Sequence, residues 1–184
     1  MGLTDQKVDN RRYMAVPRTL CFITAGDDVL LLRGAATKRI WPNKYNGVGG
    51  HIEAGEDIYT SAMREIREET GLDVRELTLR GILNIPVTDQ ATGIIVFVFT
   101  AVAPNRQVTP SAEGTLEWVA RGSLDSLELV EDLPTLLPMV LAMPPAAPPF
   151  FAHYSYDAQD TLRIQFAPIP KMKRNGTQID ADKR

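Results

Sequence analysis

The chain has 184 residues, 44% of them hydrophobic and 23% charged, which suits one domain with a sizeable core and argues against wholesale disorder. Lys and Arg number 20 against 23 Asp and Glu, for a net charge of −3, so no basic excess marks a dedicated nucleic-acid-binding domain. A lone cysteine (Cys21), a polar start without an apolar signal core, and no apolar run near the ~18 residues of a membrane span predict a soluble, cytoplasmic, single-domain protein.

The sequence divides into an N-terminal segment over 1–16, a folded domain over 17–167, and a polar, basic, disordered tail over 168–184. Residues 18–24 and 29–33 are apolar β-formers around a Gly/Asp turn, the pattern of a hairpin. A loop rich in Gly, Pro, Asn and Lys occupies 34–50, long enough to be functional. Residues 57–70 carry helical periodicity, with Tyr59, Ala62, Met63 and Ile66 on one stripe and Gly71 at the stop. Mixed strand character runs over 74–86. The strongest strand is 94–100, whose near-continuous apolar run predicts burial on both faces. A short strand follows at 116–119, then helical segments at 123–127 and 133–142. The Pro-rich stretch 143–150 suits a rigid connection, and 151–156 with 161–166 form a closing hairpin around 157–160. No internal repeat is present.

On the first helix, Glu65, Glu68 and Glu69 fall within roughly a 100° arc, since positions i, i+3 and i+4 share a face. The apolar stripe lies beside that arc. Clustered like charges are mildly destabilising unless compensated, and a hard divalent cation compensates them. All-oxygen ligands favour Mg²⁺ or Mn²⁺ over zinc. Arg64 can pair with Glu68 at i+4 and steer it. Glu56, and also Glu53, reach the cluster only if the loop folds back. Taken alone, the three glutamates also fit an ordinary solvated helix face.

The whole pattern, Gly50-x5-Glu56-x7-Arg64-Glu65-Ile66-x-Glu68-Glu69-x-Gly71-Leu72, resembles the Nudix box at every specified position. A chance match is on the order of 10⁻⁸ to 10⁻⁷, taking ~6% per fixed residue and ~30% per aliphatic one. The resemblance implies an α/β fold, a Nudix α/β/α sandwich with a mixed β-sheet. It also implies metal-assisted hydrolysis of a nucleoside diphosphate linked to another group. By the same resemblance Glu65, Glu68 and Glu69 are the metal ligands. Glu56 orients Arg64 or assists the metal, and Glu69 or Glu65 is the general base.

Outside the box, the stretch from Asn43 to Gly50 resembles the approach loop of MutT-like 8-oxo-dGTP diphosphatases, with Tyr45 where Trp is common. Residues 150–162 resemble that subgroup's closing hairpin. The subgroup likeness implies that Asn46, Glu131 and Asp132 read a purine edge, with Gly49 and Gly50 also among the substrate-binding residues. Glu131 and Asp132 equally suit a helix cap before Leu133-Pro134. Leu129 and Val130 stand where the subgroup has an aromatic residue, so the sequence offers no stacking ring there.

The other candidates are weighed against plainer roles. His51 is either a phosphate contact or a plain loop residue, and His153 a structural strand residue. Cys21 is a small buried hydrophobe and Trp118 a core residue. Trp41 lines the substrate loop or covers the core. Lys38, Arg39 and Lys44 attract a triphosphate or are merely solvated. The leading expectation from these resemblances is a Mg²⁺-dependent pyrophosphohydrolase that cleaves a nucleoside triphosphate, with oxidised purines such as 8-oxo-dGTP as the leading nucleotide substrate, to the monophosphate and pyrophosphate. The alternatives are an ADP-ribose, dinucleoside polyphosphate or other nucleoside diphosphate hydrolase, and a non-catalytic binding module of the same fold.

Overall fold

The computed structural model describes residues 11–87, 91–111 and 113–168. Residues 169–184 of the predicted tail, and most of segment 1–16, lie outside the described residues. Among the described residues eight strands form one sheet: β1 (Met14–Ala25), β2 (Asp28–Gly34), β3 (Tyr45–Asn46), β4 (Thr78–Pro86), β5 (Thr92–Val102), β6 (Gly114–Ala120), β7 (Phe150–Tyr156) and β8 (Leu162–Phe166). The path runs β3-β2-β1-β5-β4-β7-β8, with β6 along β2. β1 pairs β5 and β4 pairs β7 in parallel, and the other pairings are antiparallel. The sheet is therefore mixed.

Alternation along the strands separates two cores. Phe22, Val29, Leu31, Leu83, Val96 and Val98 face α2 (Leu133–Ala142) through Leu133, Leu136, Leu137 and Val140. Cys21, Ile23, Leu30, Leu32 and Phe99 face α1 (Ile58–Thr70) through Ala62 and Ile66. One helix core on each face gives the α/β/α sandwich that the resemblance implies. The run at 94–100 is the middle of β5, which lies between β1 and β4 and contributes to both cores.

Three local expectations are refined. The helical segment expected at 123–127 is a 3₁₀ helix, Arg121–Ser126, with no side-chain cap. β1 begins at Met14, ahead of the hairpin pattern, because Met14 to Val16 find Thr92 to Ile94 of β5 as partners. Trp118 packs against the α1-side core but stays half-buried, its indole N–H donating to Arg106 O at 3.1 Å and its ring lying under the Arg106 guanidinium at 5.4 Å.

The feature that positions the site is a wedge. β1 and β2 pair over only three residues, Ile23 to Ala25 against Asp28 to Leu30. They then diverge, and the returning loop enters the gap. β3 pairs Leu32 and Arg33 of β2. The stretch after it binds β1 through Cys21 N to Val48 O (2.7 Å), Thr19 N to Gly50 O (2.9 Å) and Ile52 N to Pro17 O (3.2 Å). The glycine-rich loop is thus fixed as sheet beneath α1.

Candidate active site

Local chemistry sets both ends of α1. Asp57 is the N-cap, accepting from Thr60 N at 2.9 Å and Thr60 Oγ1 at 2.7 Å, and these bonds hold its carboxyl below the usual range. Gly71 ends the helix in the left-handed region at φ 74°, its N–H returning to Arg67 O at 2.9 Å. Ala62 and Ile66 are fully buried, whereas Tyr59 from the predicted stripe is 44% exposed, its hydroxyl accepting from Leu77 N. The predicted stripe is thus wrong at its first member. Glu69, from the carboxylate face beside that stripe, is only 8% exposed.

Arg64 stands at the centre of the acidic cluster. Its Nε and Nη2 donate to Glu56 Oε1 and Oε2 at 2.8 and 3.0 Å, a two-pronged pair. Its Nη1 donates to Glu65 Oε1 and Glu68 Oε2, both at 3.0 Å. Nη2 also reaches His51 O and Ser61 Oγ, each at 3.2 Å. The loop therefore does fold back to bring Glu56 in. Glu53 stays exposed, offering its backbone carbonyl to Glu56 N. The Arg64 bonds hold the Glu56 carboxyl below its ordinary value, and the carboxylates push the guanidinium up. Three carboxylates share one guanidinium, so two negative charges remain before Glu69 is counted.

Glu69 faces the other way, under the loop. Its Oε2 accepts from Gly49 N at 2.9 Å. Burial, only partly offset by that bond, pushes its pKa up to about 7; the charges of Glu113 and Glu65 add to the rise. Gly50 lies against Glu65: a Cβ there would fall 2.5 Å from Oε1. Gly49 adopts φ 143°, and a Cβ on it would meet Thr19 O at 2.3 Å. These two glycines let the backbone pass directly beneath two carboxylates.

The donor set is all carboxylate oxygen, graded from the exposed Glu68 to the buried Glu69, and it suits a hard divalent ion. In the arrangement seen, no three His, Cys, Asp or Glu side chains among the described residues converge as an ion cage. Glu65 and Glu68 are instead turned onto Arg64. The residues fit Mg²⁺ or Mn²⁺ provided that the carboxylates re-aim by side-chain rotation.

Asn46 sits on β3 with its Oδ1 accepting from Gly47 N at 2.8 Å, which leaves its amide nitrogen to donate. The segment before α2 docks alongside, through Tyr45 N to Glu128 O (2.9 Å) and Val130 N to Tyr45 O (3.0 Å). Asp132 occupies the N-cap position of α2 but makes no side-chain cap bond. Its Oδ2 instead accepts from Tyr154 Oη at 2.8 Å, and burial pushes its carboxyl up despite that bond. The capping alternative is therefore set aside for Asp132. Glu131 is exposed, with a long contact from Leu162 N at 3.4 Å. Val130 is 3% exposed and packed in the core, so it offers no stacking face. His51 and His153 are exposed, Cys21 is fully buried, and Trp41 is 48% exposed. Lys38 pairs with Glu113 at 2.6 Å, while Arg39 and Lys44 are exposed.

The sequence does not single out Thr19, whose Oγ1 accepts from Gly50 N at 3.3 Å, or Tyr154. Nor does it single out Glu117, which accepts from Tyr45 Oη at 3.0 Å. Each acts across a long sequence separation and leaves no local signal.

Two outcomes follow from this geometry. Gly50→Ala displaces only the end of the Glu65 side chain, so turnover should fall at least ~10-fold with Tm nearly unchanged. Gly49→Ala strikes the Thr19 carbonyl in a left-handed conformation and should cost on the order of 2–3 kcal/mol in denaturant unfolding. Equal stability losses for the two would contradict the assigned geometry.

Glu69 also sets a pH dependence. Its folded pKa is raised, so the folded state holds the proton more tightly than the unfolded chain. Its stabilisation is full below about pH 4.5 and is lost as pH rises through about 7. The metal-free protein should lose about 2 kcal/mol between pH 5.5 and 8 from this group, measured by urea unfolding in EDTA. Saturating Mg²⁺ should restore stability more at pH 8 than at 5.5. A flat profile would contradict the burial of that carboxylate.

A family model described as NUDIX domain matches residues 14–140. The chain is 27% identical over 144 residues to the oxidized purine nucleoside triphosphate hydrolase of Mus musculus, across 78% of this chain and 88% of that protein. It is 39% identical over 70 residues to the NAD-capped RNA hydrolase NudC of Pseudomonas aeruginosa, 38% of this chain and 24% of that one. The match thus spans about a quarter of that relative's length. Among solved structures, a mutator MutT protein from Bacillus halodurans superposes with a TM-score of 0.70 at 26% identity, covering 84% of this chain and 99% of that one. No helix among the described residues is long and apolar enough to cross a membrane.

Proposed function

Because the chain belongs to the NUDIX domain family, we propose that it is a divalent-cation-dependent pyrophosphohydrolase. It cleaves a nucleoside triphosphate to the monophosphate and pyrophosphate, with oxidised purines such as 8-oxo-dGTP preferred. The observation that carries the activity is the Arg64 knot: one guanidinium holds Glu56, Glu65 and Glu68 at 2.8–3.0 Å, beside the buried Glu69. A Mg²⁺ or Mn²⁺ ion bound by Glu65, Glu68 and Glu69 would neutralise phosphate charge and make the attacking water more acidic. Arg64 positions the carboxylates, and the Gly49–Gly50 backbone leaves room for the phosphates. Water adds to phosphorus, the bridging P–O bond breaks, and the water's proton passes to Glu69 or Glu65. Each of those carboxylates has one oxygen outside the hydrogen bonds described above.

The substrate preference is supported by Asn46 and Asp132. With Oδ1 committed to Gly47, the Asn46 amide nitrogen is the free donor for a base carbonyl. A half-buried Asp132 with a raised pKa can donate when protonated and accept when ionised. The likeness to a mouse oxidised-purine hydrolase over most of both chains points the same way.

A nucleotide panel with Mg²⁺ tests this. The expected result is a kcat/KM for 8-oxo-dGTP at least ~10-fold above that for dGTP, lost on Asn46→Ala. Preferential cleavage of ADP-ribose or a dinucleoside polyphosphate would overturn the substrate and retain the chemistry. No cleavage of any of them would overturn both.

A further inference from the structure

At the far ends of β1 and β5, Thr24 and Thr100 line a cleft of about 580 Å³. Thr24 lies five residues beyond Thr19, which binds Gly50, or about 16 Å along the strand at ~3.3 Å per residue. The cleft is separate from the acidic cluster and opposite in character. Arg75, Arg80 and Arg121 line it, together with Thr24, Thr78 and Thr100, and Glu76 is its one acid among the described residues.

Arg80 is the unusual member. It sits at the β-bulge where the β4–β5 register shifts between Leu79 and Gly81, and it is only 9% exposed. Its Nε donates to Thr100 Oγ1 at 2.7 Å and its Nη1 to Pro144 O at 2.9 Å. Both partners are neutral, and among the described residues no carboxylate lies within ion-pair distance of it. A buried cation without a counter-charge is costly. Arg121 is different: it is half-buried and has Asp27 as a distant ion-pair partner. Its Nη1 donates to Leu141 O at 3.2 Å, and its Nε pairs with the exposed Asp27 carboxylate at 3.7 Å without a hydrogen bond. The two guanidiniums fasten the end of α2 and still hold unused donors around one cavity.

We propose that this cleft is a second ligand site, specific for an oxyanion of the phosphate class, with Arg80 and Arg121 as its fixed donors and Arg75 at its mouth. The bound anion supplies the counter-charge that the fold withholds from Arg80. Two sources share that chemistry: inorganic pyrophosphate, and the phosphate group of a nucleoside monophosphate. The site does not depend on the hydrolytic activity proposed above.

Calorimetric titration of the full chain in EDTA at physiological salt, first with inorganic pyrophosphate and then with a nucleoside monophosphate, tests the site. Saturable binding of either is expected, and the ligand that binds identifies the source. Arg121→Gln and Arg75→Gln should each weaken it at least fivefold without loss of fold, and Asn46→Ala should leave it unchanged. Arg80→Gln should abolish it; if that variant unfolds, the two outer arginines still decide the matter. Absence of binding, or binding weakened by Asn46→Ala and not by Arg121→Gln, would overturn the proposal.

Discussion

Glu68→Gln should lower kcat at least ~10³-fold while leaving Tm within a degree or two of the parent. The Glu68 side chain is 60% exposed, and its one described partner is Arg64 Nη1 at 3.0 Å. An exposed pair of this kind contributes about 0.2–1 kcal/mol, so the fold hardly registers its loss. The metal site loses a full negative charge and a ligand oxygen of the right hardness. Mn²⁺ affinity, read by titration, should fall in parallel with kcat. A variant that kept its turnover would remove Glu68 from the ligand set. Glu69→Gln should be as damaging to turnover but is less diagnostic, because that side chain is buried against Gly49 N.

Arg64→Gln should produce a different profile. Arg64 touches no phosphate in this account; it positions Glu56, Glu65 and Glu68 at once. Its removal leaves three carboxylates without their shared cation, so both kcat and Tm should drop, kcat by ~10²–10³-fold. Mn²⁺ affinity should change much less than in Glu68→Gln, since no ligand is lost and two carboxylates are released. Arg64→Lys should not restore the rate, because an ammonium lacks the planar fork that engages both Glu56 oxygens while reaching Glu65 and Glu68. Full rescue by lysine would show that charge alone suffices and that the knot is not geometric.

The first helix and its carboxylates were legible because their signals are local. Asp57 and Gly71 mark the ends of α1 by residue type, and the spacing of Glu65, Glu68 and Glu69 places them on one face before any packing is known. Helical spacing does not reveal depth. Tyr59 shares the apolar stripe yet is 44% exposed and lies against Leu77 N, whereas Glu69 is buried where Gly49 offers it an N–H from a different segment. Contacts between distant segments were illegible for the same reason. Thr19 meets Gly50 across 31 positions, Tyr45 meets Glu117 across 72, and Asp132 meets Tyr154 across 22. Capping preference suggested one role for Asp132, but a tyrosine from β7 claims the carboxylate. The wedge between β1 and β2 was equally hidden: the loop over 34–50 reads as irregular, yet its end is paired backbone. Short segments such as 121–126 carry too few residues for a period to separate a 3₁₀ turn from an α-helix.

The most direct test is an anomalous-scattering crystal structure of the protein soaked in Mn²⁺. The expected density is an ion whose ligands come from Glu65, Glu68 and Glu69, with Glu65 and Glu68 turned from Arg64 toward it and Glu56 still clasping the guanidinium. An ion-free cluster at saturating Mn²⁺, with both carboxylates still on Arg64, would contradict it.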